Sequence, residues 1–164
     1  MVASSALAST ETRPENAEML VTSVHEVLRS VLRRVHPTLD AEGISMGQFW
    51  ALHLVSSLGS TSVSAVARHL SLSAPTVCAN IDQLEAARLV ARHRSQRDRR
   101  AVELTLTPKG RRVEARVWAR IGEVMTEAIA EAGLPPNDIA TTVRVFRELD
   151  RQLQTGETPG GAVP

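Results

Sequence analysis

Residues 73–110 read SAPTVCANIDQLEAARLVARHRSQRDRRAVELTLTPKG, and their pattern decides the fold of this chain. The stretch starts with apolar residues at helical spacing and continues with two short runs of alternating residues. It ends in a Thr-Pro pair that is typical of a helix start. It therefore predicts a helix, then two strands joined by an arginine-rich tip, and then the beginning of another helix.

The first helix of this stretch has an apolar side and a polar side. Its inward positions recur at helical spacing: Val77, Ile81 and Leu84. Ser73 is expected to cap the helix, and Thr76, Asn80 and Gln83 are expected to lie to the side or outward. Such short polar groups suit phosphate contacts and base edges in the major groove of DNA, with Asn and Gln favouring adenine. The alternative interpretation is an ordinary amphipathic helix with a polar face towards solvent.

A short helix is expected directly before it. Residues 63–70 fit this helix, and Ser62 is placed to cap it. Only Ser71 and Leu72 separate it from the cap at Ser73. Two short helices joined by a turn of three to four residues form a helix-turn-helix. With the two strands that follow, the sequence predicts a winged helix-turn-helix.

The two strands are expected at residues 90–94 and 101–106. In the second strand, Val102, Leu104 and Leu106 alternate with polar residues and are expected to face inward. The tip between the strands is too polar to be buried, and its arginines suit the negative potential of an adjacent minor groove. Its acidic residue is expected to hold one guanidinium in a fixed direction through a bidentate pair. The candidate DNA-contacting residues of the wing are Arg94, Arg97, Asp98, Arg99 and Arg100.

The charge of the chain is distributed unevenly. The whole chain has a formal net charge of +1. From Arg88 to Arg120, eleven Lys or Arg stand against three acidic residues, a local charge of +8, so the remainder carries −7. A basic segment on an otherwise acidic molecule indicates a polyanionic partner, and nucleic acid is the first candidate. A solvated, charged helix face is the alternative interpretation of the charge alone.

Further helices are expected on both sides of the winged region. One spans about residues 16–36, and Pro37 is expected to stop it. Another starts at Ser45, where Gln48 three residues later completes a capping box. After the wing, Thr107 and Pro108 open a long helix that runs to about residue 131.

The last helix is expected at about residues 136–154. The helices at the two ends of the chain keep an apolar face that no compact core covers, which packing against a second copy explains best. The alternative is that they fold back and form a monomeric bundle. The candidate dimerisation residues are Val24, Leu28, Val31, Ile139, Val143 and Phe146.

Composition limits the class of protein. With 164 residues, 43% of them hydrophobic, the chain can bury one core, so a single domain at 14–154 is expected between disordered tails at 1–13 and 155–164. The winged region is expected at about 45–107. No apolar run is long enough to cross a bilayer, and no secretion signal is recognised, which predicts a cytoplasmic protein. The single cysteine, Cys78, excludes an internal disulfide and a metal site of several thiolates.

From Val63 to Arg112 the chain resembles the MarR family of bacterial transcription regulators. The resemblance is carried by the helix-turn-helix, by Asp98-Arg99-Arg100 in the wing, and by the exit Leu104-Thr105-Leu106-Thr107-Pro108-Lys109-Gly110. With the flanking helices it covers roughly residues 16–153.

This resemblance implies a homodimer that binds double-stranded DNA, with a recognition helix in the major groove and a wing arginine in the minor groove. Asp98 and Arg100 fall on the family's wing pair, and Ser73 and Thr76 on its phosphate- and base-contacting cap. Two recognition helices related by a two-fold axis read half-sites about 34 to 36 Å apart, so the operator is expected to be an inverted repeat. Repression would follow from covering a promoter.

The resemblance also implies a small aromatic or phenolic effector, bound between the dimer helices and the winged domain. The candidate effector-binding residues are His25, Trp50, His53 and Trp118. A Trp or His on a helix more often packs or lies at the surface, which is the alternative for all four.

Three other functions compete with this interpretation. Oxidation of Cys78 on the recognition helix would make a redox-responsive regulator. A winged helix used only for protein docking would bury many unpaired arginines. An enzyme is not expected, because no nucleophile and base fall in a recognised motif. No cofactor is expected, and the five histidines show no arrangement typical of a metal site.

Overall fold

The computed structural model describes residues 14–94 and 102–155. Its elements follow in the order α1 (Pro14–Glu42), α2 (Met46–Leu58), α3 (Val63–Leu70), α4 (Ala74–Ala86), β1 (Val90–Arg94), β2 (Val102–Leu106), α5 (Pro108–Glu131) and α6 (Pro136–Thr155). The prediction of a mainly helical fold with a small β-wing is confirmed. The residues pack as two compact units, one up to Val124 and one from Met125 onward.

The core of the first unit is almost entirely aliphatic. Helices α2, α3 and α4 pack on one another, and the hairpin packs on α2 and α4. The three residues of α4 that were predicted to point inward are fully buried: Val77, Ile81 and Leu84. Phe49 is the largest fully buried side chain of the unit. The core therefore holds α4 from its inner side and leaves its outer side exposed.

Helix α1 is longer than the sequence predicts, because Pro37 does not end it. The helix continues through the proline to Glu42 and ends before Gly43, which has a φ of +68°. Val35 and Leu39, on either side of the proline, are 0% and 1% exposed. Their burial offsets the backbone hydrogen bond that the proline cannot donate.

Serine caps begin α2, α3 and α4, as predicted. Ser45 Oγ accepts from the Gln48 N–H at 3.2 Å, and Gln48 Oε1 accepts from the Ser45 N–H at 2.7 Å, which completes the capping box. Ser62 and Ser73 each accept from the backbone N–H three residues later. Each cap satisfies a donor that the first helical turn leaves unpaired and contributes about 1 kcal/mol. Between α3 and α4, Ser71 turns the chain with a left-handed φ of +51°.

The wing is an antiparallel pair of strands, with Arg94 opposite Val102. Thr61 adds a short bridge to β2: its N–H donates to the Leu104 carbonyl at 3.2 Å, and its carbonyl accepts from the Leu104 N–H at 2.7 Å. Leu104 and Leu106 are buried as predicted, but Val102 is 46% exposed, so the prediction that it faces inward is wrong. Val102 lies at the outer end of the strand pair, two residues beyond the Thr61 bridge.

The start of α5 is held close to the chain between α4 and β1. Thr107 Oγ1 accepts from the Gly110 N–H at 3.0 Å and donates to the Arg88 carbonyl at 2.7 Å. A Cβ added to Gly110 would lie only 2.0 Å from the Leu89 carbonyl oxygen. Pro108 occupies the first helical position, as predicted.

An ion pair joins the end of α1 to α5. Arg116 Nε and Nη2 donate to the two carboxylate oxygens of Glu42 at 2.6 and 2.8 Å. The hydrogen bonds from Arg116 hold the pKa of the Glu42 carboxyl below its ordinary value. The first unit therefore includes α1 through a polar contact as well as through the buried Val35 and Leu39.

The second unit contains the last turns of α5, a turn at Gly133 and α6. Gly133 has a φ of +61°, a conformation that glycine adopts without strain. None of the residues 136–155 of α6 is buried. The apolar side chains of Val143, Phe146 and Leu149 are about two-fifths exposed at 43%, 42% and 38%. Residues 136–155 thus form an amphipathic helix whose apolar side is open.

Candidate DNA-binding surface and aromatic cluster

The N-terminal end of α4 presents two hydroxyl groups together. Ser73 Oγ lies 2.7 Å from Thr76 Oγ1 and accepts from the Thr76 N–H at 3.3 Å. Both residues are exposed. Backbone N–H groups and the helix dipole make a helix N-terminus favourable for a phosphate. This end of α4 can therefore contact a nucleic-acid backbone with hydroxyls and backbone dipoles at once.

Asn80 and Gln83 lie on the side of α4 that borders the start of α2. Gln48 Nε2 donates to Gln83 Oε1. Asn80 is half-buried, and its amide nitrogen is 3.6 Å from the place that a Cβ on Gly47 would occupy. Gln83 is exposed, so it can meet a base edge in the orientation that Gln48 gives it. Asn80 is the less accessible of these two candidates.

Arg92, which no sequence pattern singled out, joins β1 to α4. Arg92 Nη2 donates to Asp82 Oδ1 at 2.6 Å, and Arg92 Nη1 donates to Glu85 Oε2 at 2.8 Å. The hydrogen bond to Asp82 is the main cause of a raised pKa at Arg92. Asp82 and Glu85 are three residues apart, which places them side by side on a helix. That spacing is the sequence signal that could have pointed to a shared cationic partner.

The strands lead directly into the predicted minor-groove tip. Arg94, the last residue of β1, is exposed. The other predicted contacts, Arg97, Asp98, Arg99 and Arg100, lie outside the described residues, so their roles stay predictions. In the described strands, Arg94 and Val102 pair opposite each other.

Three of the four predicted effector-binding residues meet in an aromatic cluster around Phe49. The rings of His53 and Trp118 are stacked, with centroids 4.3 Å apart and planes 9° apart. Trp50 lies edge-on to His53 at 6.1 Å and tilted against Phe49 at 5.2 Å. His53 Nδ1 is 2.7 Å from the carboxylate of Glu114. This cluster therefore connects α2 to α5.

The cluster is open on one side. Trp118 is 47% exposed, whereas the His53 and Glu114 side chains are 27% and 14% exposed. An exposed indole ring beside an ordered imidazole can stack on a planar molecule. His25 stands apart from this arrangement on the exposed surface of α1, in a shallow groove with Thr22, Glu26 and other α1 residues.

The described part of the chain also bears on the other chemistries considered. Cys78 is exposed on α4. Within residues 14–94 and 102–155, no three His, Cys, Asp or Glu side chains are grouped so as to hold a metal ion. No helix in those ranges combines the length and the apolar character needed to span a membrane.

Comparison with known proteins identifies related regulators. Residues 42–101 match the model of the MarR family. The transcriptional repressor MdtR of Bacillus subtilis (strain 168) is 26% identical over 100 residues, which are 58% of this chain and 64% of MdtR. The chain thus matches less than two thirds of the length of this relative. Such relatives are transcriptional regulators, in agreement with the expectation that this chain is not an enzyme.

Solved structures share the fold. Staphylococcus aureus MarR in complex with salicylate and kanamycin matches with a TM-score of 0.77 at 20% identity, over 88% of this chain and 96% of that chain. NadR in complex with 4-hydroxyphenylacetate matches with a TM-score of 0.64 at 21% identity, over 91% of this chain and 97% of that chain. These likenesses establish the winged-helix architecture.

Proposed function

Because this chain belongs to the MarR family of winged helix-turn-helix transcriptional regulators, we propose that it represses transcription by binding an inverted-repeat operator as a homodimer. In this proposal α4 enters the major groove and the wing reaches the neighbouring minor groove. A small aromatic effector releases the protein from DNA.

The observation that carries the proposal is the exposed N-terminal end of α4, a helix that packs on β1 of the hairpin through its later residues. Ser73 and Thr76 offer hydroxyls at a helix N-terminus, and Arg94 continues towards the basic tip of the wing. Phosphate contacts of this kind set register, while base edges set sequence preference. Gln83 is exposed on α4 and hydrogen-bonded to Gln48, so it is the amide best suited to contact a base edge.

The homodimer is supported by apolar side chains that the described chain leaves uncovered. On α1, Leu20, Val24, Val27 and Leu28 are between 39% and 54% exposed. On α6, Val143, Phe146 and Leu149 are similarly exposed. Contiguous apolar faces of this kind are typical of interfaces. Val31 differs from the other predicted α1 contacts, because it packs against the core of its own chain.

The experiment that tests the DNA-binding part measures affinity for duplexes from the region upstream of the protein's own coding sequence, against a scrambled duplex, at two salt concentrations. The wild type should bind one inverted repeat as a dimer with sequence preference. Arg94→Ala should weaken operator binding. The slope of log K against the logarithm of the salt concentration should become smaller in magnitude by about 1, the value expected when one phosphate is no longer neutralised.

The matched control for this experiment is Arg144→Ala. It removes the same charge from an exposed position of α6, in the other unit. It should leave the salt dependence at the wild-type value. Equal, weak binding of the operator and the scrambled duplexes would contradict the regulator proposal and would favour a protein-docking role for the winged helix.

The proposed effector binds at the aromatic cluster defined by Trp50, His53 and Trp118. Salicylate and 4-hydroxyphenylacetate, bound in the structures of two similar proteins, are suitable planar probes. Each should quench tryptophan fluorescence and lower the affinity for the operator. Trp118→Ala should weaken ligand binding by about twofold to twelvefold, since an aromatic pair contributes about 0.5 to 1.5 kcal/mol.

His25→Ala is the control for the effector site, because His25 lies away from the cluster on α1. It should bind both probes as the wild type does. If Trp118→Ala and His25→Ala respond to the probes like the wild type, the aromatic cluster is not the effector site.

A further inference from the structure

Arg92 connects the recognition helix to the wing through two different carboxylates. Its two terminal nitrogens donate separately to Asp82 at 2.6 Å and to Glu85 at 2.8 Å. The Arg92 side chain is 30% exposed, against 62% for Asp82 and 40% for Glu85. The Arg92 side chain is therefore the most enclosed of the three, and its forked guanidinium contacts both carboxylates of α4 at once.

The strand side of this connection is also held in place. Arg92 is in the middle of β1 and pairs in register with Leu104 of β2. Leu104 is fully buried and exchanges two backbone hydrogen bonds with Thr61. Movement of the strands at Arg92 would disturb this bridge, so the contact from Arg92 to α4 acts on the whole hairpin.

The contact also matters for charge. Asp82 and Glu85 are the two acidic residues of α4, and both stand on the helix that the proposed function places in the major groove. A bare carboxylate near phosphates is repelled by them. Arg92 offsets one of these two negative charges from the strand, so the repulsion between α4 and DNA phosphates is reduced.

We propose that Arg92 is a positioning residue that fixes the wing relative to the recognition helix, so that both reach the same DNA in one binding event. The proposal rests on the proposed function. It predicts that the wing contributes to operator affinity only while Arg92 bridges both carboxylates. Arg92 itself need not touch DNA for this role.

The test compares two duplexes that carry the operator identified by the binding experiment on the upstream region. The long duplex includes the flanking minor grooves, and the short duplex ends just outside the two major-groove half-sites. The wild type should bind the long duplex more tightly and with the larger salt dependence. Arg92→Met should lose the preference for the long duplex, and its salt slope should fall by about 1 for each phosphate that the wing no longer reaches.

Two further variants separate positioning from folding and from charge. Arg92→Lys keeps the positive charge but has a single nitrogen for the two carboxylates, so it should restore only part of the preference. The triple variant Asp82→Asn, Glu85→Gln, Arg92→Met removes the charges and the bridge together. It should still lack the preference for the long duplex. Although the carboxylates no longer repel the phosphates, no ion pair holds the wing to α4.

Arg151→Met is the matched control. Arg151 forms an exposed bidentate pair with Glu148 within α6, and its loss should leave the preference for the long duplex unchanged. Thermal unfolding of each variant checks that it is folded, and partial unfolding would lower affinity for both duplexes by the same factor.

Two results would overturn the proposal. Arg92→Met with a wild-type preference for the long duplex would show that the wing is positioned without it. Full recovery of the preference in the triple variant would show that Arg92 acts only by reducing the negative charge of Asp82 and Glu85. A wild-type protein that does not distinguish operator from scrambled DNA would instead reject the proposed function, and the role of Arg92 with it.

Discussion

Replacing Gly110 with alanine is expected to destabilise the protein by about 3 kcal/mol, the top of the usual range for overpacked sites. A Cβ at this position would lie 2.0 Å from the carbonyl oxygen of Leu89 and 2.9 Å from its carbonyl carbon. Both are backbone atoms, so no side chain can rotate away to relieve the contact. The chain between α4 and β1 would have to move away from the start of α5.

The same movement should reach the DNA-binding surface. Leu89 directly precedes β1, and its carbonyl accepts from the Thr107 N–H at 3.0 Å. Displacing it would tilt the hairpin relative to α4. Gly110→Ala is therefore expected to lower operator affinity under conditions in which the variant is still folded. Urea unfolding gives the stability change, and duplex binding gives the functional change.

Gly122→Ala is the control, because it makes the same substitution in the same helix. Among the described residues, and apart from the neighbouring backbone of its own helix, no atom lies within 4 Å of a Cβ built at Gly122. In an exposed helical position, alanine should increase the free energy of unfolding by up to about 1 kcal/mol. Similar stability changes in both variants would contradict the steric explanation for Gly110.

Phe49→Ala is expected to destabilise the protein by about 3 to 5 kcal/mol, the usual cost of removing a large aromatic ring from a core. Phe49 is fully buried in α2. Its ring lies 6.0 Å from that of His53 and 6.5 Å from that of Trp118. Removing it would leave a cavity beneath the aromatic cluster as well as in the core.

Trp118→Ala measures how much the stacked ring of Trp118 contributes to the stability of the protein. Because the Trp118 side chain is 47% exposed, its removal leaves no closed cavity and should cost much less stability than Phe49→Ala. The two variants are compared by thermal and urea unfolding. A loss for Trp118→Ala as large as that for Phe49→Ala would mean that the exposed Trp118 ring contributes as much stability as the buried Phe49 ring, contrary to this expectation.

Local chemistry explains why much of this fold could be predicted from the sequence. The Ser45 capping box, the caps at Ser62 and Ser73 and the Thr107-Pro108 helix start each depend on residues within four positions of one another. The inward stripe of α4 follows from helical spacing in the same way. Patterns of this range determine where elements begin and which side is apolar, so the winged helix-turn-helix was predictable without any tertiary contact.

The candidate site was predictable in part for the same reason. Trp50 and His53 lie three residues apart on one helix, but only the packing of α5 brings Trp118 onto His53. Likewise, helical spacing placed Asn80 and Gln83 on the polar side of α4, and only the packing of α2 gave Gln83 its partner Gln48 and half-buried Asn80.

By itself, the sequence determined the order of the elements, their caps and the apolar side of each helix, because these depend on neighbours along the chain. Tertiary structure decided that α1 continues through Pro37, that Val102 is exposed, that Gly110 must lack a side chain and that Arg92 joins β1 to α4. Three of these outcomes depend on atoms from a segment distant in sequence, and Val102 is exposed because the described residues leave it uncovered. The free energy of such contacts, from burial and paired charges, overrides a local preference such as the helix-ending tendency of proline.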